Sequence, residues 1–312
     1  MPPEVSVVVP THDRRELLAL TLSTILWQSD VDLEVVVVDD GSRDAAVAAT
    51  VVGQRHDRRI RLVRHETPRG VSTARNHGIA ESRGSWLAFC DDDDLWASEK
   101  LALQLATARD SGRQWVYTGA VRIDLRQRII GGTPPPTPEE FLAHLPRWNP
   151  MPGGCSGVLA SASVVAEVGS FDARYQHFAD WELWIRLAGA GPPAVVDQPL
   201  VAYRIHPGNR TLDTVGMRED LALIEDAYGN TPDWGAIHHY LAWVYLRSGR
   251  RVPALRHFGQ AALHGSLVPV ARSFATLARR RLQSRRARTG CDPAGVTAWR
   301  QPAIEWLDRV AG

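Results

Sequence analysis

Cysteine is scarce in this 312-residue chain, and long apolar runs are missing. The three cysteines, Cys90, Cys155 and Cys291, are widely spaced and odd in number, so they predict neither a disulfide framework nor a zinc site. No apolar run approaches the roughly 18 residues that a membrane-spanning helix needs. The first residues, Met1–Glu4, lack the basic and apolar regions of a signal peptide. These absences predict a soluble, cytoplasmic protein.

A glycine-rich loop is also missing where two large enzyme classes carry one. The first predicted strand, Val5–Val9, is followed by Pro10–Asp13, with the sequence Pro-Thr-His-Asp. A dinucleotide-binding dehydrogenase would need a Gly-x-Gly-x-x-Gly run there, and a nucleotidyltransferase would need a glycine-rich basic loop. The formal net charge of +1 gives no reason to expect a nucleic-acid partner. The sequence argues against all three classes.

Four consecutive aspartates, Asp91–Asp94, follow the apolar run Trp86–Cys90. Adjacent carboxylates repel one another, so a folded chain tolerates them best where a cation neutralises the charge. The apolar run predicts a buried strand, with Cys90 a core residue, and open α/β sheets hold ligands at the carboxyl ends of their strands. The pattern indicates a divalent metal site. The alternative is an acidic turn that caps the next helix.

Two other predicted strands deliver polar residues to the same kind of position. Val5–Val9 leads to Thr11 and Asp13, and Leu33–Val38 leads to Asp39 and Asp40. Short apolar runs that alternate with helical segments are typical of a parallel sheet covered on both faces. We therefore predict an α/β fold with one edge rich in acids. The alternative for Asp39 and Asp40 is a tight turn, since Asp-Gly-Ser favours turns.

The chain divides into a mixed α/β part and a helical part. Residues 1–210 are predicted to form the α/β domain, with loops at Gly131–Pro138 and Gly153–Gly157. Residues 211–312 are predicted to be a helical region, in which Ala242–Ala261 has the spacing of one helical hairpin of the tetratricopeptide type. The other predicted helices are Arg14–Gln28, Asp44–Val52, Gly70–Ala80 with Ser72 as N-cap, Ser98–Ser111 and Glu182–Ala188.

Five short motifs occur in an informative order. They are Pro10–Arg14 (PTHDR), Asp39–Ser42 (DDGS), Ala74–Gly78 (ARNHG), Asp91–Trp96 (DDDDLW) and Asp180–Trp184 (DWELW). This set resembles the family 2 glycosyltransferases of GT-A fold, over about residues 4–210. The resemblance implies an inverting transferase that uses a sugar nucleotide, most often UDP-linked, with Mg²⁺ or Mn²⁺ as cofactor.

The resemblance also assigns the donor site. Pro10, Thr11, Asp13 and Asp39 lie on its predicted nucleoside side, and Asp40 resembles the residue that accepts a hydrogen bond from uracil. Arg75 projects from a helix whose amino end attracts phosphate; its alternative is a solvated arginine.

Within the acidic run, Asp91 and Asp93 match the family's Asp-x-Asp pattern. The resemblance implies that Asp93 contacts the metal and that Asp92 lies near the ribose. Such hard oxygen ligands favour Mg²⁺ or Mn²⁺ over zinc or copper. Asp94 has no family role, and we predict that it caps the helix after Trp96.

Asp180 resembles the family's general base, which takes the proton from the acceptor hydroxyl. The chain departs from the family motif by carrying Ala179 where glutamate is usual. Glu182 is a substitute base or an exposed helix carboxylate. Trp184 is predicted to be core, and Trp181 to be free to stack under a sugar.

Arg204 and His206 resemble an Arg-x-His element that closes the site. Arg204 would supply positive charge to the donor, and His206 would bind the metal or the pyrophosphate. The alternative for His206 is a solvated loop histidine.

The arginine-rich stretch Arg272–Arg288 allows two interpretations. It predicts either peripheral contact with an anionic membrane, which suits a lipid-linked acceptor, or a solvated helix face. The leading hypothesis for the whole chain is a metal-dependent inverting glycosyltransferase acting on a hydroxyl of a glycan, glycolipid or metabolite. The alternative, prompted by Ala179, is a catalytically weak module that binds sugar nucleotides and recruits partners through its helical tail.

Overall fold

The structure is a computed structural model that describes residues 2–44, 53, 57–206, 214–247, 249–268, 270, 271 and 294–311. The basic stretch Arg272–Arg288 and all but Asp44 of the predicted helix Asp44–Val52 lie outside the described residues. None of the described helices combines the length and the hydropathy needed to cross a membrane.

The described strands are β1 (Val5–Thr11), β2 (Leu33–Asp39), β3 (Ile60–Arg64), β4 (Trp86–Phe89), β5 (Leu95–Trp96), β6 (Trp115–Ile123), β7 (Ile129–Thr133), β8 (Val158–Ser161) and β9 (Ala194–Arg204). The described helices are α1 (Arg15–Leu26), α2 (Val71–Glu81), α3 (Lys100–Ser111), α4 (Pro138–His144), α5 (Ala162–Val168), α6 (Ala179–Ala190), α7 (Thr214–Tyr228), α8 (Trp234–Arg247), α9 (Arg251–Leu263) and α10 (Ala294–Ala311). A 3₁₀ turn spans Gly154–Gly157.

The chain forms two compact units. The first contains residues 1–145, 149–204 and 299–312, and the second contains residues 146–148 and 205–298. These bounds differ from the predicted division at residue 210, because Ala303, Trp306 and Leu307 of α10 pack into a core cluster of the first unit. Trp306 Nε1 also donates to Pro199 O at 3.0 Å.

The sheet of the first unit has the order β3-β2-β1-β4-β8-β6-β9-β5, with β7 paired to β6. Strands β3, β2, β1 and β4 are parallel, as the continuous apolar runs predict, so the α/β class is confirmed. Beyond β4, strand β8 is antiparallel to both β4 and β6, while β9 is parallel to β6. The second half of the sheet is therefore mixed.

Every residue of β1 and β2 is buried, because both faces of these strands are covered. Val7 and Val35 belong to the cluster that also contains α1 residues such as Leu22. Val36 and Val38, on the alternate face, pack with Ala74 of α2. This two-sided burial fixes the carboxyl ends of β1 and β2 on a rigid layer.

One predicted loop and one predicted cap are wrong. Gly131–Pro138 contains the end of β7, since Thr133 pairs with Ala120 and Gly132 pairs with Val121. Helix α2 has Gly70 as its N-cap residue, with no side-chain cap. The hydroxyl of Ser72 instead donates to Tyr175 O at 3.0 Å, so it joins α2 to the loop before α6.

The second unit contains the predicted helical hairpin. Helices α8 and α9 pack through Ala242, Phe258 and Ala261, residues that the repeat-like spacing singled out. Edge-on packing of the Trp243 ring against the Phe258 ring, with centroids 5.9 Å apart, completes the contact.

Candidate active site

The carboxyl ends of β1, β2 and β4 lie side by side at one edge of the sheet. Thr11 is the Cα partner of Asp39 at the end of the β1–β2 ladder, and Asp40 N donates to Thr11 O at 2.9 Å. Cys90, just after β4, donates its N–H to Val8 O at 3.0 Å, which places Asp91 at the same edge. The parallel register thus brings all three predicted motifs together.

Each of the first three aspartates after β4 accepts a side-chain hydrogen bond. Asp91 Oδ1 accepts from Arg75 Nη2 at 2.6 Å. Asp92 Oδ2 accepts from the Thr11 hydroxyl at 2.7 Å. Asp93 Oδ2 accepts from Arg14 Nη1 at 2.8 Å. The charge of the cluster is therefore offset by arginines from α2 and from the residue before α1.

The pKa of Asp92 shows that it is unfavourable to gather several negative charges here. Burial, then the neighbouring charge of Asp93, raises the pKa of Asp92 to about 7, although Arg14 and the Thr11 hydroxyl act in the opposite direction. Ionising both carboxylates of one buried site is unfavourable, because the two negative charges repel each other and burial removes water that would solvate them. The cluster holds negative charge that a cation would stabilise.

Asp94 is not a helix cap. It is fully buried, and it accepts from the Ser156 hydroxyl at 2.6 Å and from Arg204 N at 3.0 Å. Burial and the charges of Asp93 and Asp91 raise its pKa well above the ordinary value. Because the fourth aspartate links the 3₁₀ turn to the end of β9, its role is to join strands.

Arg204 lies beneath the acidic cluster. Its side chain is 1% exposed, and its Nε donates to Asp93 O at 2.8 Å. The predicted positive charge is therefore present near Asp93. The buried Arg204 side chain, however, contacts the backbone carbonyl of Asp93 and not its carboxylate. The direct contact of Arg204 with the donor stays a prediction.

Asp39 forms the tight turn that was the alternative to a ligand site. Its Oδ1 accepts from both Ser42 N (3.0 Å) and the Ser42 hydroxyl (2.5 Å), and its Oδ2 pairs with Arg64. Asp39 is fully buried. These contacts shape the loop after β2.

Asp40 is held by three protein donors. Its Oδ1 faces His65 Nδ1 at 2.7 Å and Arg69 N at 2.8 Å, and its Oδ2 accepts from Gly70 N at 2.9 Å. His65 Nε2 in turn lies 2.9 Å from His77 Nδ1. Asp40 thereby ties the end of β2 to the start of α2. The His65–His77 pair was missed, since these residues are twelve positions apart and follow no metal or catalytic spacing.

The other nucleoside-side residues line the same edge. Pro10 is the Cα partner of Val38 within the β1–β2 ladder. Asp13 has a left-handed backbone, with φ of 54°, and its carboxylate accepts from Arg43 N at 2.9 Å and from Arg43 Nε at 2.7 Å. Their predicted roles in donor binding stay predictions.

Arg75 is buried, so the solvated alternative is wrong. It is 7% exposed, its guanidinium lies 5.2 Å from the centroid of the Phe171 ring, and its Nη2 pairs with Asp91. Among the described residues, no hydrogen-bond partner faces Arg75 Nε. A buried cation with an unused donor beside the acids suits an anionic ligand.

Asp180 lies in the first turn of α6 and accepts from Trp181 N at 2.7 Å. Burial raises its pKa to about 6; the charge of Arg75 and the backbone donor oppose this rise, and Asp91 adds to it. A Cβ placed on Gly154 would be 3.6 Å from Asp180 Oδ2. Asp180 is thus close enough to Arg75 and Asp91 for their charges to act on it, and a pKa near 6 suits a base at neutral pH.

Two predictions for α6 are wrong. Glu182 is buried and paired with Arg186, whose Nε lies 2.7 Å from Glu182 Oε1, so it is not an exposed carboxylate, and its role as a substitute base stays a prediction. Trp181 is 1% exposed, and its Nε1 donates to Leu145 O at 2.7 Å; it cannot stack under a sugar. Trp184 is core, as predicted, and stacks on Trp115 with centroids 6.3 Å apart. The Ala179 side chain is buried as well.

The predicted metal ligands are divided between the units. Asp93 belongs to the first and His206 to the second, so the metal role of His206 stays a prediction. Within the described ranges, no group of three or more His, Cys, Asp or Glu side chains has the arrangement of a metal site.

Comparison with known proteins decides the family. The model of "Glycosyl transferase family 2" matches residues 6–164. The amylovoran biosynthesis glycosyltransferase AmsB of Erwinia amylovora is 30% identical over 215 residues, 64% of this chain and 69% of AmsB. The chain belongs to glycosyl transferase family 2. It is therefore a glycosyltransferase.

A further relative and two solved structures are also similar to this chain. The chain is 25% identical to WfgD of Escherichia coli, a "UDP-Glc:alpha-D-GlcNAc-diphosphoundecaprenol beta-1,3-glucosyltransferase", over 59% of this chain and 69% of WfgD. S. aureus TarS 1-349 in complex with UDP superposes with a TM-score of 0.57 at 17% identity, covering 78% of this chain and 71% of TarS. The mannosyltransferase PcManGT from Pyrobaculum calidifontis, in complex with GDP-Man and Mn²⁺, gives a TM-score of 0.56 at 20% identity, covering 100% and 86%. These likenesses confirm the predicted fold.

Proposed function

We propose that this family 2 enzyme transfers a sugar from a UDP-linked donor to a hydroxyl acceptor with inversion, using Mg²⁺ or Mn²⁺. The observation that carries the proposal is the single sheet edge at which Asp91, Asp92, Asp93 and Arg75 meet, with Asp180 close enough for its charge to couple to Arg75.

The residues at this edge fit a divalent cation in chemistry. Asp91 and Asp93 offer hard carboxylate oxygens, the donor type that Mg²⁺ and Mn²⁺ prefer. They do not form a complete ligand set, which agrees with cations that are held by one or two carboxylates together with substrate phosphates. Asp93 would hold the cation, with Asp91 beside it. When bound, the cation supplies positive charge against the developing charge of the departing diphosphate.

The protein's own groups provide the rest of the chemistry. Asp180, with a pKa of about 6, is largely ionised at pH 7 and takes the proton from the acceptor hydroxyl as that oxygen attacks the anomeric carbon. Arg75, buried and with an unused Nε donor, faces the donor's phosphates. One displacement from the side opposite the leaving group inverts the anomeric configuration.

The nucleoside is the less constrained part of the donor. The TarS structures were solved with UDP and UDP-GlcNAc, and the name of WfgD gives UDP-Glc as its donor, whereas PcManGT was solved with GDP-Man. We favour UDP because Asp40 stands at the position that resembles the family's uracil contact. The comparison of UDP with GDP is therefore the first experiment.

For the acceptor, we propose a hydroxyl of a growing, lipid-linked glycan. The relatives are named for amylovoran, teichuronic acid and a diphosphoundecaprenol-linked sugar. Peripheral membrane contact through Arg272–Arg288 would bring the enzyme to such an acceptor.

The test combines binding with turnover. UDP or GDP, each with and without MnCl₂, is added during thermal unfolding, and donor turnover is followed by nucleotide release. We expect UDP to stabilise the protein only when Mn²⁺ is present. Asp180→Asn should lower turnover by roughly 10²- to 10⁴-fold and leave that stabilisation unchanged. Glu167→Gln, at an exposed carboxylate of α5, is the matched control. Full activity in Asp180→Asn would disprove the assignment of Asp180 as the base. Stabilisation by GDP but not by UDP would disprove the assignment of a UDP-linked donor.

A further inference from the structure

A cleft in the second unit is lined by basic, polar and apolar side chains from three helices, including Val252 and Pro253. We call it the arginine–histidine cleft; its volume is about 410 Å³, and its lining includes Arg218 of α7, His238 and Tyr245 of α8, and Arg256, His257 and Gln260 of α9. A cavity of this size is within the range of small-molecule sites. Nothing in the proposed transfer reaction uses it.

The two arginines have no acidic partner in the described part of the second unit. Arg218 lies over the Trp234 ring, 5.8 Å from its centroid, and Arg256 makes no described hydrogen bond or ion pair. Both are exposed on their helices. Two guanidinium groups that line one cleft without a carboxylate leave a positive potential to be met by a ligand.

Two histidines in the lining of the cleft form a hydrogen-bonded pair. His238, which is 4% exposed, has its Nδ1 only 3.0 Å from Nδ1 of His257, and its ring is 5.6 Å from that of His264. An N–N distance of 3.0 Å requires one ring to donate a proton to the other. The pair can therefore present an N–H group to an acceptor in the cleft.

Burial and positive neighbours keep these rings neutral. Burial, followed by the charges of His257, His264 and Arg218, lowers the pKa of His238 to about 4. Burial, Arg256 and Arg218 lower the pKa of His257. No carboxylate among the described residues contributes to either shift. An anion in the cleft would reverse the effect of the arginines and raise both pKa values.

The stretch of sequence that contains α8 and α9 has an extreme charge bias. The 58 residues from Trp234 to Cys291 contain eleven arginines and no aspartate or glutamate, although the whole chain carries a formal charge of only +1. Acidic side chains are thus missing from the segment that supplies α8, α9 and the loop between them. A bias of this kind indicates an anionic partner.

We propose that the arginine–histidine cleft binds a phosphate group, with Arg218 and Arg256 pairing with its oxygens and the His238–His257 pair donating to it. Guanidinium groups suit phosphate because they can donate two parallel hydrogen bonds. The phosphate can come from a soluble phosphoester or from the headgroup of an anionic lipid. The proposal does not depend on the donor, metal or base assigned above, since all of its residues belong to the second unit.

The experiment measures binding to the full chain with three probes. Inorganic phosphate and pyrophosphate are titrated by calorimetry, and vesicles of phosphatidylglycerol are compared with vesicles of phosphatidylcholine by sedimentation. The variants are Arg218→Gln and Arg256→Gln. The matched control is Arg251→Gln, which removes an exposed arginine of the same helix, α9, that does not line the cleft.

We expect saturable binding of at least one phosphate-bearing probe, weakened roughly tenfold or more in each cleft variant and unchanged in Arg251→Gln. Proton uptake should accompany binding at pH 5 to 6, and ¹⁵N signals of His238 and His257 should shift toward the protonated form. Binding of pyrophosphate assigns a soluble source. Binding of phosphatidylglycerol vesicles alone, with the same dependence on Arg218 and Arg256, assigns a lipid headgroup.

Two outcomes overturn the proposal. The first is the absence of saturable binding of any of the three probes. The second is binding that Arg251→Gln weakens as much as Arg256→Gln does, because that would show general attraction to a basic surface. Normal far-UV circular dichroism and an unchanged unfolding temperature exclude misfolding of the variants as the cause of a loss.

Discussion

Arg14 Nη1 lies 2.8 Å from Asp93 Oδ2, and the same nitrogen lies 3.0 Å from Asp92 Oδ1. One guanidinium thus pairs with two adjacent carboxylates at the edge where we propose a divalent cation. Burial opposes the charge of Arg14, but Asp92 and Asp93 more than compensate and raise its pKa. Arg14 and the cation would therefore compete for the carboxylate of Asp93.

Arg14→Gln tests this competition. Without divalent cations, we expect the variant to lose about 1–3 kcal/mol of unfolding free energy, because two buried carboxylates lose a charged partner. Conversely, MnCl₂ with UDP should raise its unfolding temperature by more than it raises that of the wild type. Differential scanning calorimetry measures both effects. Arg43→Gln is the control, since the Arg43–Asp13 pair is exposed on the arginine side and such pairs contribute little. An equal rise in both proteins would show that Arg14 does not compete with the cation.

Asp92 should make stability depend on pH. Its pKa is about 7 in the folded chain and near the ordinary 3.8 when unfolded, so the folded state keeps a proton that the unfolded state loses between pH 4 and 7. The free energy of unfolding should fall by roughly 2–4 kcal/mol over this range from Asp92 alone. Asp92→Asn should remove that part of the decline in urea titrations run without divalent cations. Asp172→Asn, at a carboxylate paired with Arg174 whose pKa is lowered, should leave the decline in place. A decline of the same size in Asp92→Asn would contradict the prediction.

The sequence predicted those features that depend on local patterns of apolar and acidic residues. The apolar runs of β1, β2 and β4 and their acidic ends follow from local patterns, and the parallel register then brings Thr11, Asp39 and Asp91 to one edge. The spacing of Ala242, Phe258 and Ala261 likewise predicted the packing of α8 on α9. In each case, the prediction depends only on residues that are close together along the chain.

The sequence could not predict contacts between distant segments. Asp94 reads as a helix cap, yet its partners Ser156 and Arg204 are 62 and 110 residues away. Glu182 reads as an exposed carboxylate, and although its partner Arg186 is only four positions away, Arg186 also donates to Val168 O at 2.7 Å, a contact with α5 that the local pattern does not predict. Lys100 is fully buried, with its amine 3.8 Å from the centroid of the Trp96 ring, and burial lowers its pKa to about 7. A charged residue is predicted to be exposed, and its burial depends on tertiary packing that local patterns do not reveal.

Gly78 and Gly189 form a matched pair for testing the packing of the sheet. A Cβ on Gly78 of α2 would lie 2.3 Å from Val8 Cγ1 and 3.2 Å from Val38 Cγ2, so Gly78→Ala should cost about 1–3 kcal/mol through overpacking. A Cβ on Gly189 of α6 would meet nothing within 4 Å, so Gly189→Ala should stabilise the protein by about 0.5–1 kcal/mol. Urea unfolding of the two variants gives the sign of each change. Equal effects in both would mean that α2 does not approach the sheet as closely as described.

The rate of transfer should follow the ionisation of Asp180. The pKa of this carboxyl is about 6, because burial disfavours its charge more than Arg75 and Trp181 N favour it. Since a general base must be deprotonated, kcat/KM should rise about tenfold per pH unit below pH 6 and level off above it. A second variant, Arg75→Gln, removes the positive charge that favours the carboxylate, and the inflection should move to higher pH. Glu167→Gln should leave the inflection in place. A rate that stays constant between pH 5 and 7 would rule out Asp180 as the group that accepts the proton, whatever its effect on overall activity.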